Sequence, residues 1–75
     1  MPKLPALSGK QLIKILTKLG FSQVRQKGSH ISLEKRTASK NFRTVVPFHS
    51  DLAKGTLRDI LNQCGLTKDD LINEI

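Results

Sequence analysis

The order of elements written into these 75 residues is that of an α+β two-layer sandwich: a helix, three strands, a second helix and a short helical tail. Three observations carry that prediction. Leu12, Ile15, Leu16 and Leu19 recur at i, i+3, i+4, i+7, and so do Leu57, Ile60, Leu61 and Cys64, which marks two helices with one apolar face each. Between them, residues 21–47 carry strand-type patterning interrupted by Gly28 and by a polar run at 36–41, giving three short strands in an antiparallel meander. Two apolar helix faces need something to bury against, and a three-stranded sheet has one face to offer. Both helices therefore lie on one side, and the other face of the sheet stays open.

Each element has its own local reasons. Pro2 and Pro5 hold off a helix until about Leu7, because proline lacks the amide hydrogen that a helix interior needs. Ser8 is the expected N-cap, with Gln11 completing a capping box, and Gly20 stops the helix, which runs from about Gly9 to Leu19. Phe21 to Lys27 is the first strand, with poor alternation. Gly28 permits a tight turn, since without a Cβ it takes positive φ at little cost. His30 to Lys35 is the second strand. Its period of two points Ile31 and Leu33 to the core and His30 and Ser32 the other way. Arg36 to Asn41 is a hairpin loop, and Phe42 to Val46 the third strand, ended by Pro47. In the connection Phe48 to Ala53, Asp51 is a candidate cap for the helix that follows or for the turn leading to it. Gly65 closes that helix, and the pair Thr67 and Asp70 opens a terminal one holding Leu71, Ile72 and Ile75.

Composition narrows the function. The chain is read as one domain over residues 1–75, and a domain this small buries only about 60% of its unfolded surface, so its core is marginal. Cys64 is the one cysteine, closes no intramolecular disulfide, and sits on an apolar stripe as a core residue. His30 and His49 are far apart and lack neighbouring ligands at zinc spacing, so neither a metal nor another cofactor is expected. No apolar run has the length of a signal peptide or membrane span, which points to a cytoplasmic protein with no membrane partner.

Charge says more. The net charge is +7, and it is segregated: residues 1–50 carry +9 and residues 51–75 carry −2. A basic body with a mildly acidic tail points to a polyanionic partner rather than to solubility alone. Lys10, Lys14 and Lys18 form one row on the first helix with no acid three or four residues away, so their mutual repulsion is uncompensated and a phosphate backbone would relieve it. Arg25 and Lys27 on the first strand, Ser29 in the turn, and Lys35 with Arg36 at the far hairpin complete the candidate nucleic-acid-binding set. With three phenylalanines and no tyrosine or tryptophan to stack on bases, recognition by phosphate contacts and shape is favoured over base readout. The absence of a helix-turn-helix pattern argues against a DNA-reading module.

The element order resembles the double-stranded-RNA-binding-domain fold. More narrowly, the chain resembles the HicA toxin family of toxin–antitoxin systems. That resemblance rests on the opening helix with Leu12, Leu16, Leu19, Gly20 and Phe21, on Lys27-Gly28-Ser29-His30, and on Val46-Pro47-Phe48-His49. Lys54-Gly55-Thr56-Leu57-Arg58-Asp59-Ile60-Leu61 and Cys64-Gly65-Leu66 complete it, over about residues 8–66. Family members often carry a polar residue or a second histidine after the motif histidine; here Ile31 stands there. The resemblance implies an mRNA interferase, an endoribonuclease silenced by a HicB-type antitoxin, with His30 as its catalytic residue and Gly28 and Ser29 as the setting. His49 matches a common family position, without a catalytic role being carried to it.

RNA can be cut without metal because its own 2′-hydroxyl attacks the adjacent phosphorus. A histidine, ordinarily titrating near pH ~6.5, suits either proton transfer in that reaction, and Arg25 or Lys27 would stabilise charge on the phosphorane. One histidine supplies half of an acid–base pair, which predicts a slow enzyme. The competing expectation is a non-catalytic binder of double-stranded RNA, for which the fold and the basic rows suffice and His30 is dispensable.

Overall fold

Residues 4–75 are described in the computed structural model of the protein, so Pro2 lies outside the described residues. At the start of α1 (Gly9–Lys18) the Ser8 hydroxyl accepts from the Gln11 amide while the Gln11 side chain accepts from the Ser8 amide. The box settles two of the four amides that a helix start leaves unpaired. Leu12, Ile13, Ile15 and Leu16 form the buried face of α1. Ile13 extends the stripe read from the sequence, and Thr17 sits one turn on with its hydroxyl donating to the Ile13 carbonyl at 2.8 Å.

Three antiparallel strands follow, β1 (Ser22–Lys27), β2 (His30–Arg36) and β3 (Asn41–Pro47), in the order β1-β2-β3. The expected α+β sandwich of the double-stranded-RNA-binding-domain type is therefore the architecture observed. Phe21 falls just outside β1 and is a core residue at 2% exposure, whereas all six residues of β1 are exposed. An edge strand with no buried residue has no reason to alternate cleanly, and a register shift between Gln23 and Arg25 disrupts the period further. The β2–β3 loop is shorter than expected, Thr37 to Lys40. The Thr37 hydroxyl donates to the Lys40 carbonyl and accepts from the Lys40 amide.

The inward faces of β2 and β3 present Ile31, Leu33, Thr44 and Val46, all buried, and both longer helices pack beneath them. Leu12, Leu16, Leu33 and Val46 are at 0% exposure. Each such aliphatic side chain contributes about 1.5–3 kcal/mol by leaving water, so the sheet-to-helix seam is where the fold is held. Thr44, the buried polar residue there, is satisfied by donating to Gln63 Oε1 at 2.7 Å.

The second helix, α2 (Lys54–Cys64), buries Leu57, Ile60, Leu61 and Cys64 as the spacing predicts. Its N-cap is Ala53, with no side-chain bond, so the cap expected from Asp51 is not made. Gly65 ends it at φ +68, where a Cβ would lie 2.6 Å from Phe42 Cε1. Glycine is needed there twice over, for the left-handed backbone and for the approach of the ring. The reciprocal Thr67–Asp70 box opens α3 (Lys68–Ile72), which plugs Leu71 into the core. Leu4 and Leu7, ahead of α1, are also buried, and the Leu52 amide donates to the Leu7 carbonyl at 2.9 Å. Among the described residues no helix is long and apolar enough to cross a membrane.

Candidate functional site

Gly28 and Ser29 form the two-residue turn between β1 and β2, bracketed by the paired residues Lys27 and His30. Gly28 has φ +59 and Ser29 does not share the positive region, the pattern of a type II′ hairpin. A Cβ at Gly28 would meet nothing within 4 Å, so the backbone angle alone calls for glycine. Gln26 steadies the turn by donating to the Gly28 carbonyl at 3.3 Å.

The turn is also tied to the rest of the molecule. The Phe48 amide donates to the Ser29 carbonyl at 2.6 Å, extending the β2–β3 ladder one bond past Pro47. The Gly9 amide in turn donates to the His49 carbonyl at 2.8 Å. A Cβ on Gly9 would run into the Pro47 carbonyl oxygen and sit 3.0 Å from Phe48 Cα, so only glycine lets α1 begin against the end of β3. One end of the sheet thus gathers the Gly28-Ser29 turn, His30, Pro47-Phe48-His49 and the first turn of α1.

His30 opens β2, the central strand, and is exposed while Ile31 and Leu33 behind it are buried. Paired residues share a face of an antiparallel sheet. The register therefore sets Lys27, His30 and Pro47 in one row across the open face. Arg25, Ser32 and Val45 form the next row, and Ser22, Glu34 and Arg43 the one after. Arg25, Lys27 and Arg43 are exposed there, as is Val45 at 44%. Arg43 was not singled out in the sequence, yet the alternation of β3, with Phe42, Thr44 and Val46 inward, is the signal that places it outward.

Not every basic candidate reaches that face. Arg36 does, but its Nε donates to Glu34 Oε1 at 2.6 Å, and Arg43 Nε lies 3.7 Å from the other oxygen. The Arg36 hydrogen bond, with the nearby arginine charges, holds the Glu34 carboxyl below its usual range, so this acid takes up part of the positive charge at the far end. Lys35 faces the helix side. Its ammonium donates to the Leu19 carbonyl at 2.9 Å and lies 5.9 Å from the Phe21 ring centroid. It closes the C-terminus of α1, where a cation is favoured, so its placement is that of a helix cap rather than a phosphate ligand. Lys10, Lys14 and Lys18 are exposed on α1 opposite its buried face, in the layer away from His30. Lys14 and Lys18 border a groove shared with Ile15, Glu74 and Ile75. Glu74 lines the same groove, but among the described residues no ion pair joins it to either lysine, so the row stays uncompensated.

Burial pushes the Cys64 thiol up to about 11, against a smaller opposing effect of the Thr44 hydroxyl. It stays protonated near neutrality and is no nucleophile. Among the described residues no cluster of three His, Cys, Asp or Glu side chains is arranged to hold a metal ion.

Fold and surface together define a small basic α+β domain, of the double-stranded-RNA-binding-domain type, with a histidine displayed on the open face of its sheet. The model of the family described as HicA toxin of bacterial toxin-antitoxin matches residues 9–66, and the chain belongs to that family. It is thus a toxin of a toxin–antitoxin system, whose counterpart is an antitoxin. No curated protein and no solved structure matches the chain.

Proposed function

We propose that this toxin is an mRNA interferase, an endoribonuclease that cuts RNA by metal-independent acid–base chemistry at His30. The observation that carries the reading is the position of His30: exposed at the start of the central strand, in one row with Lys27 and next to that of Arg25, on a face no helix covers. An imidazole in such a place reaches a bound phosphodiester, and the two cations offset the charge that builds on phosphorus. Ser29 and Gly28 set the turn that presents it. Lys10, Lys14 and Lys18 hold flanking phosphates on the other layer, and Arg36 contributes less because Glu34 already engages it.

The antitoxin is, in this reading, of the HicB type. The +9 carried by residues 1–50 favours an acidic partner surface. The direct test is cleavage of a defined mRNA in EDTA by the parent and by His30→Ala. Cutting by the parent alone, with RNA binding kept by both, supports the reading. Equal, salt-sensitive binding without cleavage by either would make the protein a double-stranded-RNA binder instead, a reading favoured by the lysine row of α1 lying in a separate layer from His30. Addition of a HicB-type antitoxin should stop cleavage at one equivalent per active site.

A further inference from the structure

The sequence leaves the acid–base pair incomplete, and the fold brings a second imidazole-bearing residue to the same end of the sheet. We infer that His49 is the second proton-transfer group of the His30 site, an inference that rests on the ribonuclease reading above. The two histidines are 19 positions apart in the chain, and the β2–β3 pairing closes that gap. His30 lies opposite Pro47, and the Phe48 amide is bonded to the Ser29 carbonyl, so the ladder continues to the residue just before His49. His49 is two residues past the strand partner of His30. With paired strands about 5 Å apart and a reach of at most about 3.6 Å per residue, the two histidine Cα atoms lie within about 13 Å of each other. Side chains from such a separation can bracket one phosphodiester.

Two features hold His49 where this requires. Its carbonyl accepts from the Gly9 amide, and the absence of a Cβ on Gly9 lets α1 sit against Pro47 and Phe48. The backbone is thus fixed from both sides while the residue itself stays exposed. Register and sequence put Lys27 across from His30 on β1, Asp51 two residues beyond His49, and Lys10 one residue after the Gly9 amide that bonds the His49 carbonyl. Among these groups an imidazole is the side chain that both takes and gives a proton readily near pH 7, which suits it to partner His30.

The reaction balances with these two groups alone. One imidazole takes the proton of the 2′-hydroxyl as that oxygen bonds to phosphorus. The other, protonated, gives its proton to the 5′-oxygen as the bond from phosphorus to that oxygen breaks. A 2′,3′-cyclic phosphate and a 5′-hydroxyl end remain, and proton exchange with water resets both side chains.

The test is the pH–rate profile for cleavage of a defined RNA in EDTA by the parent, His49→Ala and His49→Gln. The parent should give a bell, and both variants should fall by about 10²-fold or more and lose one limb of it. Gln keeps size and hydrogen bonding, so it would rescue a histidine that only braces the connection. Parent-like rates in either variant, or a slowed enzyme that keeps both limbs, would overturn the role of His49 while leaving the ribonuclease standing. A parent that cuts no RNA would overturn both.

Discussion

Two surfaces of this molecule carry uncompensated lysines and arginines, and they differ in what stands beside the charge. The row on α1, Lys10, Lys14 and Lys18, lies over an apolar helix face and borders a groove with Glu74 and Ile75. The open face of the sheet sets Arg25 and Lys27 beside His30 at the end of a ladder tied to α1 through Phe48, His49 and Gly9. Charge alone attracts a phosphate backbone without choosing where on it anything happens. Only the sheet face adds a group able to move a proton, held by backbone bonds rather than by a flexible stem. One surface can thus serve affinity and the other chemistry.

That contrast is broken or sharpened by substitution. Among the charge substitutions the largest effect is expected at the sheet: Arg25→Gln combined with Lys27→Gln should lower kcat/KM for RNA cleavage by about tenfold or more, with kcat itself reduced. Lys14→Gln with Lys18→Gln should instead raise KM a few-fold at unchanged kcat, and flatten the salt dependence of binding by about one unit of slope per lost phosphate contact. Steady-state rates at two salt concentrations measure both, and a kcat loss confined to the α1 variant would reverse the assignment of the two surfaces.

The link between the surfaces comes next. Gly9→Ala forces a methyl group against the Pro47 carbonyl and should destabilise the fold by about 1–3 kcal/mol, read from urea unfolding. A smaller loss, about 0.5–1 kcal/mol, is expected for Lys35→Met, which removes the cation at the end of α1. Cleavage per folded molecule should survive that change, since Lys35 lies on neither surface.

The smallest effect concerns acid. The Asp70 carboxyl is held below its usual range by the Thr67 amide and then by the Thr67 hydroxyl, and Glu34 chiefly by Arg36. A group whose pKa falls on folding stabilises fully above its unfolded value and loses that contribution as pH falls through the folded one. Stability should therefore decline on acidification through and below about pH 4, and Asp70→Asn should shallow that decline in thermal melts.

Much of this was legible in the chain because it is local. Both capping boxes, the two apolar stripes, the Gly28 turn and the outward parity of His30 each depend on a few consecutive residues, and all are present as read. Where expectation and structure part, the cause is a partner distant in sequence. Lys35 reads as a phosphate-binding cation until the Leu19 carbonyl accepts from it, and Asp51 reads as a cap although the N-cap of α2 is Ala53, with no side-chain bond. Phe21 reads as strand but is drawn into the core, leaving β1 as an exposed edge.

By itself, then, the sequence determined the order and type of the elements, the segregation of charge and the presentation of His30, because capping, periodicity and turn chemistry act over a few residues. Tertiary structure alone decided which cations share a face with His30, why Gly9 must lack a side chain, and how His49 comes to lie beside the Gly28-Ser29 turn. Those depend on strand register and on close approach between backbones far apart in the chain, which no local pattern encodes.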